Sequence, residues 1–202
     1  MMSRDNLFTP KHIPTQISCI IGLGNPGAEY AHTPHNIGFE ACDALARNLH
    51  ASYWKSQAGC LVAAAPRGDG SMVYIAKPQG YMNTSGGPVS KLLRELKLTT
   101  RDILVLHDDC DMDLGNVKLK WGGGLNGHNG LRSLAQKLQT SDFARLKCGI
   151  GRPSGRMNLA TYVLTPVRGK QQELFDFAVD AASVTCQKCL ANGFQKTLAD
   201  NS

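Results

Sequence analysis

The fold class of this chain follows from the stretch ISCIIGLGNPGAEYAHTPHN, residues 17–36. Its apolar start over residues 17–22 predicts a buried strand, and the glycine-rich segment behind it predicts a turn. Four side chains able to bind or react follow before a helical pattern begins: Asn25, Tyr30, His35 and Asn36. In α/β proteins the loops at the carboxyl ends of strands carry much of the chemistry. We therefore expect this loop to bring one imidazole and two amides into a functional site.

Three glycines in this loop match the dinucleotide-binding fingerprint G-x-G-x-x-G, namely Gly22, Gly24 and Gly27. That fingerprint binds pyrophosphate when a helix opens directly behind it and turns free N–H groups toward the phosphates. Pro26 removes one of those N–H groups, polar residues through Thr33 postpone the helix, and no acidic residue closes a second strand about 20 positions later. We therefore expect no nicotinamide site and interpret the glycines as a turn that presents Asn25.

Patterns typical of strands and helices alternate along the rest of the chain. The predicted strands cover residues 60–65, 72–78, 102–109, 117–121 and 145–151. The predicted helices cover residues 33–50, 87–97, 129–139 and 169–192. Because Gly-Asp-Gly at 68–70 predicts a hairpin, part of the sheet must be antiparallel. We therefore expect an α/β fold, a single-domain sandwich with a mixed central β-sheet and helices on both faces.

The domain organisation predicted is a flexible N-terminal extension over residues 1–16 and a single α/β domain over residues 17–202. No run approaches the ~18 apolar residues of a membrane span, and the N-terminus lacks the apolar core of a secretion signal. The seven cysteines, mostly isolated in apolar runs, are expected to be free thiols in a reducing cytoplasm. Cys186 and Cys189 lack a second pair of ligands, so we expect no zinc site.

The net charge of +6 comes from one segment. Residues 117–156 contain eight Lys or Arg and only Asp142 as an acid, which gives eight minus one, or +7. Charged side chains such as these usually lie on a solvated surface with no binding role. The interleaving with Gly, His and Asn favours instead a face that binds a polyanion such as RNA.

Three further loops are predicted to carry polar side chains to the same edge of the sheet. They contribute Tyr81 and Asn83, then His107, Asp108, Asp109 and Asp111, then Asn126, His128 and Asn129. A neutral imidazole can take a proton from water, a carboxylate can orient that imidazole, and amides can donate to an oxyanion. No G-x-S-x-G occurs, and carboxylates flank Cys110. Water is therefore the expected nucleophile and an acyl group the expected electrophile.

Each of these residues also has a purely structural interpretation. His35 can be a residue that caps a helix, Asn83 and Asn129 can be caps as well, and Asp108 can end its strand at solvent. The run HDDCD at 107–111 can bind a hard cation such as magnesium through its carboxylates. Their joint occurrence on loops of one sheet edge favours a catalytic site.

The motifs GLGNPGAEY, HN, GYMNTSG, HDDCDMDLG, GGGLNGHNGLRSL and GIGRP occur here in this order between residues 18 and 192. In this respect the chain resembles bacterial-type peptidyl-tRNA hydrolases over nearly its whole predicted domain. The family cleaves the ester between a peptide and the 3′ ribose of tRNA, which recycles tRNA from abandoned peptidyl-tRNA. The resemblance implies a monomeric, cytoplasmic enzyme whose partner is peptidyl-tRNA, with no cofactor, metal, membrane or obligate protein partner.

The resemblance also assigns roles to individual residues. It implies that His35 activates water, that Asp108 holds His35 in its basic form, and that Asn25 engages the peptide and distinguishes N-blocked from free aminoacyl-tRNA. Residues implied to line the channel for the peptide-bearing tRNA end are Tyr30, Tyr81, Asn83 and Asn129. Basic residues expected to meet the acceptor-stem phosphates are Lys118, Lys120 and Lys147.

The chain departs from the family pattern at four positions. Pro34 replaces a usual arginine, Cys110 replaces a usual leucine, Asn126 varies the glycine loop, and Lys147 stands where some members have arginine. None of these changes removes a group that the chemistry needs, although lysine grips phosphate less well than arginine. Two other functions stay open from the sequence: a non-catalytic RNA-binding module on the same fold, and a metal-dependent hydrolase that uses the HDDCD carboxylates.

Overall fold

The structure, a computed structural model, describes residues 13, 14, 16–51 and 53–200. Its strands are β1 (Cys19–Gly22), β2 (Lys55–Gln57), β3 (Cys60–Pro66), β4 (Met72–Pro78), β5 (Ile103–Asp109), β6 (Val117–Trp121) and β7 (Ala144–Gly149). Its helices are α1 (Ile37–Asn48), α2 (Gly86–Leu96), α3 (Asn129–Leu138), α4 (Leu159–Val163), α5 (Lys170–Asn192) and α6 (Phe194–Asp200).

The strands form one mixed sheet in the order β2-β3-β4-β1-β5-β7-β6. The centre is parallel, since β1 pairs in parallel with β4 and β5, and β5 pairs in parallel with β7. The edges are antiparallel: the predicted hairpin forms β3 and β4, β2 extends it, and β6 runs antiparallel to β7. The prediction of a mixed central sheet is therefore confirmed.

Helices cover both faces of the sheet because alternate residues of each central strand point to opposite sides. In β5, Leu104 and Leu106 belong to one buried cluster, with residues of α1 and α5. Ile103 and Val105 belong to a second cluster, with residues of α2 and α3. Two apolar cores thus sandwich the sheet, which confirms the predicted architecture and explains why β5 is buried along its whole length.

Glycine allows α1 to lie directly against the centre of the sheet. A Cβ on Gly22 would lie 2.2 Å from the carbonyl oxygen of Gly38, and a Cβ on Gly38 would lie 2.6 Å from the oxygens of Leu23 and Leu106. Any larger residue at either position would push the helix away. The close approach brings the start of α1, with His35 just before it, to the carboxyl end of β5.

Several element boundaries differ from the prediction. A 3₁₀ turn over Pro34–Asn36 precedes α1, and Thr33 makes no capping bond with its side chain but donates to the carbonyl of Tyr30. The short elements β2, α4 and α6 were not predicted, because three to seven residues are too few to show a period.

The predicted N-terminal extension over residues 1–16 falls almost entirely outside the described residues. Of its described members, Pro14 is buried and Ile13 packs against the core that contains α1. Among the described residues, no helix combines the length and apolar character needed to cross a membrane. All seven cysteines lie in the described ranges as free thiols, and all but Cys110 are buried.

Candidate active site

His35 and Asp108 meet at the carboxyl ends of β1 and β5. The two strands pair in parallel, with Gly22 beside Leu106, so the loop after β1 and the last residues of β5 emerge side by side. The Nδ1 atom of His35 lies 2.9 Å from Oδ1 of Asp108, and both side chains are largely buried. This is the contact that the sequence predicted across 73 positions of chain.

His128 is a second imidazole on the same carboxylate oxygen, and the sequence had assigned it no role of its own. It precedes α3 as the N-cap, and its Nε2 lies 2.8 Å from Oδ1 of Asp108. Its Nδ1 accepts hydrogen bonds from the backbone N–H groups of Gly130 and Leu131. Because Nδ1 is an acceptor, the ring carries its proton on Nε2 and donates it to Asp108. Histidine is not a favoured N-cap residue, so little in the sequence indicates this role.

The Asp108 carboxyl is held ionised by these two donors. Its burial by itself would raise the pKa, but His128 and His35, by their charge interactions and hydrogen bonds, outweigh burial and hold the pKa well below the usual range. An ionised Asp108 that accepts from Nδ1 of His35 leaves the Nε2 lone pair of His35 free. Within the described residues no group bonds to that Nε2, so it is available to take a proton.

Asn25 is fixed by a pair of amide contacts. Its N–H donates to Oδ1 of Asn36 at 2.8 Å, and its carbonyl accepts from Nδ2 of Asn36 at 2.9 Å. Its own Oδ1 accepts from the N–H of Met82 at 2.7 Å. No acceptor for Asn25 Nδ2 is present in the part of the chain that the structure describes, so this N–H₂ group can donate to a ligand.

Two clefts meet at His35. The first has a volume of about 280 Å³. It is lined by His35, by Asn25, and by the four residues predicted to line the substrate channel, Tyr30, Tyr81, Asn83 and Asn129. The second, of about 320 Å³, contains Asp108, His128 and His107 and shares His35 and Asn129 with the first. A larger cleft of about 600 Å³ lies on the other side of Asn25 but contains neither His35 nor Asp108.

Lys118 and Lys120 lie on one exposed surface beside these clefts. In the β6–β7 pair, Lys118 is opposite Lys147 and Lys120 is opposite Arg145, so the four cations share one face of the sheet. Both β6 lysines are exposed. Lys147 forms an ion pair with Asp109 at 2.7 Å, so its charge is already partly neutralised.

Arg145 corrects the expectation that the whole basic segment faces a polyanion. It is 2% exposed, and its guanidinium donates to the carbonyls of Gly123, Gly124 and Ser141. It also lies over the Phe143 ring, with its Cζ 4.8 Å from the ring centroid. Arg145 therefore holds the glycine loop ahead of α3 in place.

We expect Arg145→Met to loosen the glycine loop, because three backbone carbonyls lose a charged donor. The free energy of unfolding should fall by about 2–3 kcal/mol, measured by urea denaturation. Hydrogen exchange of residues 122–127 should quicken. The exposed Arg156, changed to Met, provides a control with the same chemistry. Unchanged exchange in the loop would show that Arg145 does not hold it.

The aspartates of the HDDCD run, considered from the sequence as a hard-cation site, each have partners within the described chain. Asp109 pairs with Lys147, Asp111 pairs with Arg152 at 2.5 Å, and Asp108 accepts from two imidazoles. Ligand atoms of His35, Asp108 and His128 lie within 4.8 Å of one another. However, Nδ1 of His128 accepts backbone hydrogen bonds, so its Nε2 keeps a proton where a metal would need a lone pair.

Asn126 and Pro34 are compatible with the local backbone. Asn126 has a φ of 46°, a left-handed conformation that asparagine tolerates better than other non-glycine residues. Pro34 occupies the first position of the 3₁₀ turn, where its missing N–H is not needed. Neither departure from the family pattern disturbs the placement of His35 or Asn129.

Comparisons with known proteins identify the family of this chain. A family model described as peptidyl-tRNA hydrolase matches residues 19–201. The chain is 42% identical over 179 residues to a peptidyl-tRNA hydrolase of Nocardia farcinica, covering 87% of this chain and 91% of the relative. It is 41% identical over 173 residues to one of Mycobacterium tuberculosis, covering 84% and 91%. The crystal structure of peptidyl-tRNA hydrolase from Acinetobacter baumannii superposes with a TM-score of 0.85 at 33% identity, covering 94% of this chain and 96% of that one.

Proposed function

Because this chain belongs to the peptidyl-tRNA hydrolase family, we propose that His35 is the general base of the reaction and that Asp108 orients it. The chain hydrolyses peptidyl-tRNA, an esterase reaction that releases peptide and tRNA. The single observation that supports the residue assignment is the 2.9 Å contact between His35 Nδ1 and Asp108 Oδ1, which leaves Nε2 of His35 free.

In the proposed mechanism a water molecule beside Nε2 of His35 gives up a proton to the ring as its oxygen attacks the ester carbonyl. The imidazolium that forms is stabilised by the ionised Asp108. When the tetrahedral intermediate collapses, His35 returns the proton to the leaving ribose oxygen. His128 keeps Asp108 in place throughout, since its single N–H is already directed at the same carboxylate oxygen.

The first cleft is the proposed binding site for the peptide. The free N–H₂ group of Asn25 can donate to a carbonyl of an acylated α-amino group, which supports a role in selecting N-blocked substrates. Asn83 and Asn129 contribute amides to the same cleft, and Tyr30 and Tyr81 contribute apolar contact area. These amides line the same cleft as His35, which supports a role as donors to an oxyanion.

The exposed basic surface beside the second cleft is the proposed contact for the acceptor stem. Lys118 and Lys120 lie on one face of β6 and form no ion pair with any described residue, whereas Lys147 would have to exchange Asp109 for a phosphate. Phosphate contacts position an RNA without reading its sequence. That property suits an enzyme that acts on many tRNAs.

We expect Lys120→Ala, and likewise Lys118→Ala, to raise KM for peptidyl-tRNA while kcat changes little. The slope of log(kcat/KM) against log(salt) should become shallower by about one. Steady-state rates across a salt series measure both effects. Lys188→Ala on α5 is the matched control, because that lysine is exposed on the other face of the sheet. A salt slope unchanged in the β6 variants would move tRNA docking elsewhere.

The proposed chemistry is tested with N-acetylaminoacyl-tRNA and with the unacetylated form as control. Release of the acetylated amino acid, insensitive to EDTA, is the expected result. Binding without release would instead favour the non-catalytic RNA-binding module, and loss of release in EDTA would favour a metal-dependent hydrolase. The likeness to the family supports a monomer acting in the cytoplasm, and the unpaired thiols of the described chain are consistent with a reducing compartment.

A further inference from the structure

A small cavity lies beneath the basic surface, between β5, β7 and the glycine loop. It measures about 10 Å³ and is bounded by His107, Asp109, Asn126, Arg145 and Lys147, with Lys120 above it. His107, Asp109 and Arg145 are each at least 95% buried, at 3%, 4% and 2% exposed. The catalytic proposal does not use this cavity.

One polar atom of each buried side chain has unused hydrogen-bonding capacity among the described residues. These atoms are Nε2 of His107, Oδ2 of Asp109 and Nε of Arg145. Oδ2 of Asp109 contacts the ammonium of Lys147 at 2.7 Å and has no second partner among the described residues. Buried polar atoms without partners are rare because each costs free energy. Two such atoms around one cavity, beside a carboxylate oxygen that can accept a further hydrogen bond, indicate a shared partner.

The chemistry of these atoms restricts what that partner can be. Nδ1 of His107 donates to the backbone carbonyl of Asp108 at 2.8 Å, so Nε2 of the neutral ring is an acceptor. Burial lowers the pKa of His107 to about 3, with His128 adding to the effect, so the ring is neutral at physiological pH. The partner must therefore donate to His107 and Asp109 and accept from Arg145.

Water meets these demands and the available volume. A cation would face Arg145 and Lys147, and an anion would face Asp109, whereas water carries both donors and acceptors. The cavity has about the room that one water needs, and three partners is the usual number for a buried water.

We infer that this cavity binds one buried water, and that the water and His107 together form a polar bridge from the Lys147–Asp109 pair to the backbone of Asp108. His107 is then a positioning residue, because its N–H fixes the peptide plane from which the Asp108 side chain extends. The expected effect of His107 on turnover rests on the proposed role of Asp108. The presence of the water does not depend on that role.

The water itself is tested by a crystal structure of the full chain at a resolution that defines ordered solvent. One water within hydrogen-bonding distance of His107 Nε2 and Arg145 Nε is the expected result. A cavity closed by a shifted side chain, or a His107 Nε2 bonded directly to protein, would overturn the inference. Neither result depends on which residue is the general base.

The positioning role is tested by two variants of His107. His107→Asn keeps an amide N–H near the position of Nδ1 and can still donate to Asp108, whereas His107→Phe keeps the ring volume but removes both polar atoms. We expect His107→Phe to lower kcat about tenfold with KM unchanged, and His107→Asn to stay within about threefold of wild type.

Trp121→Phe is the matched control, since Trp121 also has a buried N–H without a described partner but does not line the cavity. Its kcat should equal that of wild type. Equal losses in both His107 variants, or a change in KM alone, would contradict the positioning role. If His107→Phe proves too unstable to assay, the His107→Asn variant decides alone. A His107→Asn enzyme that fails to fold or to turn over would contradict the positioning role.

Discussion

His35→Ala is expected to lower kcat by about two to four orders of magnitude, which is the range that a general base contributes. The variant loses the only imidazole in the site, among the described residues, that has both an orienting carboxylate on Nδ1 and an unbonded Nε2. His128 cannot substitute, because both of its ring nitrogens are engaged by Asp108 and by the N-terminus of α3. Single-turnover hydrolysis of N-acetylaminoacyl-tRNA measures the loss.

Substrate binding should survive this change, since His35 contributes little to the basic surface. Filter binding of deacylated tRNA should therefore give an affinity close to that of wild type. His50→Asn serves as the control: His50 is exposed, follows the end of α1 opposite to His35, and has a φ of 54° that asparagine tolerates. A His35→Ala enzyme that turns over at the wild-type rate would remove His35 from the mechanism.

Asp108→Asn is expected to lower kcat by about 10- to 30-fold, less than the loss of His35. The fixed Nε2–H of His128 requires an acceptor, so the amide oxygen of the substituted side chain should take the Oδ1 position and still accept from both imidazoles. The tautomer of His35 is then preserved, and what is lost is the negative charge that stabilises the imidazolium. The difference between a charged and a neutral hydrogen bond sets this magnitude.

Pairing the variant with His128→Ala tests that explanation. Without the His128 donor, the amide at position 108 is free to turn its N–H₂ group toward His35 and to impose the wrong tautomer. The double variant should therefore lose more activity than the two single losses multiplied together. Purely multiplicative losses would mean that His128 does not control the orientation of the side chain at position 108.

The same substitution has a consequence for stability against pH. The pKa of Asp108 is lowered in the folded chain, so the carboxylate contributes stability that is fully present above the unfolded pKa of about 3.9 and is lost as pH falls below it. The free energy of unfolding should fall less steeply in acid for Asp108→Asn than for wild type. Asp113→Asn, at an exposed aspartate, should leave the wild-type slope unchanged.

Much of the fold could be predicted from the sequence because its elements are long and periodic. The hairpin of β3 and β4, the buried strand β5, and the bounds of β6 all appeared in the pattern of residues, as did helices on both faces. The convergence of polar loops followed from one rule, that parallel neighbours end at the same edge. The proximity of His35 and Asp108 followed in the same way.

The partners of individual charged groups could not be predicted, because a partner depends on register and on the exact height of each side chain above the sheet. Arg145 and Lys120 are two members of one basic segment, yet they lie opposite each other on adjacent strands, one buried against loop carbonyls and the other in solvent. His128 was visible in the sequence as a loop residue, but its hydrogen bond to Asp108 exists only once the loop before α3 lies beside the end of β5.

By itself, the sequence determined the α/β class, the mixed sheet, the loops that form the site, and the presence of an imidazole, a carboxylate and amides within it. These properties depend on hydrophobic period and turn chemistry, which act over a few residues. Only the tertiary structure decided that two imidazoles share Asp108, that Lys147 is paired and Arg145 buried, and that polar atoms surround a cavity under His107. Those outcomes depend on distances of a few ångströms between residues far apart in the chain, which packing of the whole domain sets.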